Sequence, residues 1–351
     1  MKMKTLTTKL TIGGIICLFL LAGIGSSSVN GAKIGDTHHL LLKKGIAYYK
    51  TIRANHRIDV SQEMLKNWFL RQPSVKKVTI ENRDMTIEFN DGHKVVILGH
   101  TEKKTRWGKP SKPGNGHGHN GGSGGGGTTV TQTPDKKTAL ILDPFDWEGG
   151  VFHNPDLMRN VKNYLTNAGY SYNYLSNGQV TLDVIEHNLA NYGVIYNRGH
   201  GGTSGKTVII STGEAWTSDT TTKYSTEYNN DEIVEVAIRD LNGQYHYFIA
   251  YTPKLIQDHY NNLPNSLVYM ESCESMKFST MGDAYVGAGA GAYMGWDKSV
   301  TVNYGDDSAD TSFHMFSTGS SVDDVANAIG PDPQTHANLK YVGVGDLGLV
   351  M

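Results

Sequence analysis

From Thr138 onward the chain alternates short apolar runs with amphipathic ones, and this alternation constrains the fold more than any other feature. Residues 139–142 read as a buried strand. Residues 156–168 read as an amphipathic helix closed by Gly169, 170–175 as a strand and 181–192 as a helix begun near Thr181. Residues 194–196 then form a short apolar strand that runs into Asn197-Arg198-Gly199-His200-Gly201-Gly202. Strands separated by helices pair in parallel, because each crossover must pack back on the sheet. The expectation for 138–351 is therefore α/β, an αβα sandwich with a mostly parallel sheet. A long polar insertion over 203–251 interrupts it. Within the insertion, 233–238 and 245–251 flank Asn242-Gly243 as a hairpin. The pattern resumes with a helix over 252–261, a strand over 266–270, a helix over 283–288 and a strand over 290–296.

The front of the chain is built differently. Lys2, Lys4 and Lys9 precede an uncharged apolar stretch, 10–24, and small residues follow up to Ala32. That order predicts an export signal over 1–32, and hence a secreted or cell-surface protein. No apolar run reaches the ~20 residues of a spanning helix, so no stable membrane span is expected. Residues 33–101 read as a small α+β domain. It has helical spacing over 40–52 and 60–70, then strands over 77–80, 85–89 and 94–98 divided by Asn82-Arg83-Asp84 and Asn90-Asp91-Gly92. Residues 102–137 read as a flexible linker, since ten of the 41 glycines lie between Gly108 and Gly127. His117 and His119 within it read as solvated, with weak metal binding as the alternative.

The net charge of −2 is a cancellation. Residues 33–107 carry 15 Lys+Arg and 8 Asp+Glu, a balance of +7; residues 138–351 carry 10 and 25, a balance of −15. The two parts attract each other, and an acidic back half gathers cationic peptides rather than nucleic acid. Residues 33–101 thus fit a pro-domain, an intramolecular inhibitor docked on the back half, or else a tethered spacer or wall-binding module. Lys103-Lys104-Thr105-Arg106 would be its processing segment.

Two cysteines are present, Cys17 and Cys273. Removal of the signal leaves Cys273 alone, which excludes a disulfide framework within one mature chain. Cys273 and His200 each follow a strand of the expected sheet. Ligands in such sheets bind beyond the carboxyl ends of strands, so both residues fall at the same edge. An imidazole there can take the proton that turns a thiol into a nucleophile. Glu271 and Glu274 flank Cys273 and disfavour a thiolate, a charge His200 would have to offset as imidazolium.

"VIYNRGHGG" (194–202) and "LVYMESCES" (267–275) resemble the paired signatures of the caspase–legumain–gingipain–clostripain cysteine peptidases, and "STMGDAYVGAGAGAYMGWDKSV" (279–300) is similar to the segment after the nucleophile in gingipain-like members. The resemblance covers 138 to about 330. It implies a caspase-like fold and a secreted endopeptidase with Cys273 as nucleophile and His200 as general acid/base. It also implies an oxyanion hole made by the backbone N–H groups of Gly201 and Cys273, and peptide or protein substrates. A residue orienting the His falls, by the same resemblance, to Asp143 or Asp146. Trp296, Asp297 and Ser299, at the end of the last strand, would form a substrate pocket suited to Arg or Lys, or else be core and turn. No cofactor is required. Asp306, Asp307 and Asp310 read as a solvated loop that could also hold calcium. Two other functions fit the same residues: a surface-binding or adhesion protein on a peptidase-like scaffold without turnover, and a thiol transpeptidase.

Overall fold

The computed structural model describes residues 31–99 and 128–351. Residues 1–30 of the expected export signal and most of the glycine-rich linker, with Cys17, His117, His119 and 103–106, lie outside the described residues. The leading unit has helices α1 (Gly31–Arg53) and α2 (Ile58–Leu70) and strands β1 (Val75–Glu81), β2 (Asp84–Phe89) and β3 (Lys94–Leu98). The back half runs β4 (Thr138–Asp143), α3 (Pro155–Asn167), β5 (Ser171–Ser176), α4 (Leu182–His187), β6 (Val194–Arg198), β7 (Gly201–Ser204) and β8 (Thr207–Ala215). It continues through α5 (Ser218–Lys223), α6 (Ser225–Asn229), β9 (Ile233–Arg239), β10 (Tyr245–Tyr251), α7 (Pro253–His259), β11 (Leu267–Glu271) and α8 (Thr280–Gly287). It closes with β12 (Ala292–Trp296), α9 (Val302–Ser317), α10 (Val322–Ala328) and β13 (Leu339–Gly343). Among the described residues no helix is long and apolar enough to cross a membrane.

Six strands form one sheet in the order β13-β12-β11-β6-β4-β5, parallel except for β13. Side chains alternate between its two faces, as a pleated strand requires. Ala139, Ile141, Val194, Tyr196, Leu267 and Tyr269 pack with α3, α9 and α10; Leu140, Leu142, Ile195, Val268 and Met270 pack with α4, α7 and α8. Burial on both faces explains why these strands read as continuous apolar runs. The α/β class and the mostly parallel sheet therefore stand. Local chemistry starts the helices: the Asn154 side chain accepts the Leu157 N–H ahead of Pro155, and Ser321 and Asp324 form a capping box on α10.

The insertion is more regular than its polar sequence suggests. It supplies β7 to β10 to a second sheet, ordered β1-β2-β3-β9-β10-β8-β7. The leading unit is therefore continuous with the back half. β3 pairs in parallel with β9 from Val95↔Glu235 to Leu98↔Ile238, and Val96 and Leu98 share an apolar cluster with Ile209, Val234 and Val236. The end of the expected linker is also anchored: Gln132 bridges to Leu347, and the Asp135 N–H donates to the Pro264 carbonyl.

Candidate active site

Strands β6 and β11 are neighbours in parallel register, Val194 opposite Leu267 through to Arg198 opposite Glu271. His200 and Cys273 each lie two residues past the end of that ladder. The Gly199 N–H donates to the Glu271 carbonyl at 3.1 Å, carrying the pairing one residue further. A Cβ on Gly201 would fall 2.6 Å from the Cys273 carbonyl oxygen and 2.9 Å from the Ser272 Cβ. Glycine alone permits this approach. The structure thus brings together His200, Gly201 and Cys273 at one sheet edge. Cys273 is a half-buried free thiol whose Sγ donates to the Val300 carbonyl at 3.6 Å.

His200 is buried, with the Phe145 ring edge-on at 4.4 Å between centroids and Phe152 at 5.7 Å. The carboxylate on its Nε2 is that of Glu148. Neither Asp143 nor Asp146, the two acids expected beside His200, makes this contact. Asp143 is the last residue of β4 and faces Arg198, whose Nη1 donates to it at 3.2 Å. Asp146 accepts from Asn177 at 3.2 Å and contacts His153. A short 3-10 turn over Asp146–Glu148 carries the chain back over the site, so the third acid of the loop, not the first, meets the imidazole.

Beside His200 and Cys273 lies a buried charge cluster centred on Arg198. Arg198 is fully buried and grips Asp306 in a two-pronged contact, Nε to Oδ1 at 2.7 Å and Nη2 to Oδ2 at 3.0 Å. It also donates to the Phe152 carbonyl at 2.7 Å. Burial works against its charge, but Asp306, Glu271 and Asp143 hold the guanidinium ionised. Burial and the nearby Asp306 drive Glu271 strongly toward its neutral form, and the Tyr196 hydroxyl donates to it. A cation inside an apolar strand was the available signal, since an Arg is fully buried only when paired.

The two catalytic candidates are held uncharged. Burial pushes the Cys273 thiol up to about 12, and the Asp84 and Glu274 carboxylates add to that. Burial and the Arg198 cation lower His200 to about 3.

Asp84 comes from the leading unit, at the tip of the β1–β2 hairpin. The turn residues Asn82 and Arg83 have φ of 49° and 81°, as a two-residue hairpin loop requires. Asn82 Nδ2 donates to Glu274 Oε1 at 2.8 Å. Glu274 also accepts from Thr203 at 3.1 Å and Lys277 at 2.9 Å. Asp84 Oδ1 accepts the Gly99 N–H at 2.8 Å, and a Cβ on Gly202 would meet Asp84 Oδ2 at 2.6 Å and Leu98 Cδ2 at 2.7 Å. The hairpin therefore lies against both turns that carry the dyad. Burial, with Glu274 adding to it, pushes the Asp84 carboxyl up to about 7.

The expected substrate pocket assembles only in part. Ser299 lies close enough to Cys273 to act against the rise of its thiol. Trp296 is instead fully buried core, 5.9 Å from the Tyr304 ring, because β12 is covered on both faces. Asp297 is engaged by the backbone and side chain of Asn338 at 2.8 and 3.1 Å. The acids considered for calcium lie on helix α9 rather than in a loop; Asp306 is committed to Arg198 and Asn154, and Asp310 to Asn160.

No family model, curated protein or solved structure matches this chain.

Proposed function

We propose that the chain is an exported cysteine endopeptidase of caspase-like fold, made as a zymogen, with Cys273 as nucleophile, His200 as general acid/base and Glu148 as the group that orients His200. The β6–β11 register carries this reading, since it sets His200 and Cys273 at adjoining strand ends with Gly201 against the nucleophile's own backbone. His200, held at Nε2 by Glu148, is the base in this reading. As Sγ attacks the substrate carbonyl carbon, its proton passes to the His200 imidazole. The carbonyl oxygen becomes an oxyanion facing the N–H groups of Gly201 and Cys273. Such donors typically contribute ~10²–10³ in rate. The C–N bond then breaks as the departing amine takes the proton from His200; water, deprotonated by the same imidazole, adds to the thioester, and the C–S bond breaks as that proton returns to the sulfur.

The leading unit supplies the zymogen contact through Asn82, Asp84 and Leu98. Turnover requires the hairpin to leave, which also removes Asp84, a contribution secondary to burial in holding the thiol protonated. A preference for Arg or Lys rests on the −15 balance of 138–351 and on no assembled pocket. The covered, protonated thiol also favours a second reading, a binding protein on a peptidase-like scaffold.

One assay separates these readings: a peptide library varied at P1, run with the linker-cleaved protein and with its Cys273→Ala and His200→Ala forms. Cleavage lost in both variants supports the dyad. Equal cleavage by Cys273→Ala excludes it, and absence of turnover by the unmodified chain after cleavage supports the binding protein. Peptide ligation with an added amine acceptor would identify a transpeptidase.

A further inference from the structure

Away from the dyad, three donor side chains converge where α1 crosses the β2–β3 turn. His38 projects from α1, and Asp91 and His93 flank Gly92, whose φ of +97° turns the chain sharply enough to bring both side chains to one side. His38 Nε2 lies 3.2 Å from Asp91 Oδ2, and His93 Nδ1 lies 3.1 Å from Asp91 Oδ1. One donor atom from each of the three falls within 4.8 Å of the others.

His93 is nine-tenths buried, yet neither of its ring nitrogens has a hydrogen-bond partner. Its Nδ1 is close to Asp91 but out of line for a hydrogen bond. Leaving a buried polar atom unsatisfied typically costs ~1–3 kcal/mol. His38 Nδ1 is 2.8 Å from the Tyr228 hydroxyl. That is the outer contact a ligating imidazole usually makes, with one nitrogen bonded to oxygen and the other turned to the ion. Both rings are fixed by stacking, His38 on Phe89 at 3.7 Å and His93 on Tyr228 at 4.3 Å.

We propose that His38, Asp91 and His93 form a binding site for a first-row divalent transition metal, with zinc the best fit. A tetrahedral ion with bonds of ~2.0–2.1 Å separates its ligands by about 3.3 Å, close to the two donor separations across Asp91. Two imidazoles favour zinc and its neighbours over calcium or magnesium, which take oxygen cages. Two His and one carboxylate leave a fourth position for water. The bound ion would fasten α1 to the sheet it covers and, through Tyr228, to α6, so its role there is structural.

The test uses the full chain stripped of metal with a chelator, then titrated with zinc by calorimetry and with cobalt by visible absorption. The expected result is a zinc equivalent and a tetrahedral cobalt spectrum that are both lost in the His38→Gln/His93→Gln double variant. Asp91→Asn should weaken zinc binding ~10–100-fold. Because Asp91 is solvent-facing, that variant keeps the test decisive if the double variant misfolds. His259→Gln, in the separate Glu186/His187/His259 group, should bind as the unmodified chain does. No zinc uptake at micromolar free metal overturns the proposal. So does full uptake by folded His38→Gln/His93→Gln or by Asp91→Asn, which would assign the metal elsewhere.

Discussion

Asn82, in the leading hairpin, donates to Glu274, the residue immediately after Cys273, at 2.8 Å. The contact joins the first and last thirds of the chain across 192 positions and ends on a turn residue whose own φ is +57°. A polar side chain held in the left-handed region is strained unless its surroundings fix it. Here Asn82, Thr203 and Lys277 all grip the Glu274 carboxylate.

Hairpin docking should depend on pH through Asp84. Docked, its carboxyl is pushed up to about 7 by burial; exposed, an Asp titrates near ~3.9. Between these values the docked form holds a proton that the released form has lost. Docking is therefore strongest at the acid end and weakens as pH rises through about 7. Hydrogen exchange over 82–99, corrected for intrinsic rates, should show more frequent opening at pH 8 than at pH 6. Asp84→Asn should flatten that difference.

Glu148→Gln keeps the shape of the His200 contact and removes its charge. The expected result is a fall in kcat of ~10²–10⁴-fold with little change in KM, the range lost with general acid–base function. Asp146→Asn, beside it in the same turn, should change kcat much less. A kinetic comparison of the two variants checks whether Glu148 has the orienting role.

Gly201→Ala would drive a methyl to 2.6 Å from the Cys273 carbonyl oxygen. A cost of ~1–3 kcal/mol is expected for overpacking of this kind. Gly287→Ala makes the contrast: nothing lies within 4 Å of the added carbon at the end of α8. There the lost chain entropy of glycine should give a gain of ~0.4–1 kcal/mol. Urea denaturation of both variants against the parent chain reads the difference.

Arg198→Met removes the cation that Asp306 and Asp143 face in the core. Breaking a buried pair from one side costs ~3–5 kcal/mol. Arg198→Lys keeps the charge but loses the two-pronged geometry, and should fall between Met and the parent chain in denaturation midpoint.

The parallel sheet was legible because its strands are short apolar runs between amphipathic helices, and the placing of His200 and Cys273 past adjoining strand ends followed from that alternation. Other elements hid for identifiable reasons. Strand β7 is Gly-Gly-Thr-Ser and was absorbed into a polar insertion. Helix α9 carries Asp306, Asp307 and Asp310, whose clustering read as a loop, whereas Asp306 turns inward to Arg198. Glu148 sits in a 3-10 turn with no periodicity to read. Trp296 ends an apolar strand, and nothing local tells a pocket wall from core. The β3–β9 pairing joins segments more than 130 positions apart, so no window along the chain contains it.

That pairing has a consequence for how the molecule would mature. A cut anywhere between residues 99 and 128 severs one covalent connection and leaves the four rungs from Val95 to Leu98 in place. The product of such a cut would keep those rungs, and release of its front piece would be a separate unzipping step. Once β3 has gone, β9 becomes a bare edge with Val234, Val236 and Ile238 beside unpaired backbone groups, an adhesive border that invites another strand. The leading unit that grips Glu274 beside the thiol is also the one that keeps this border closed.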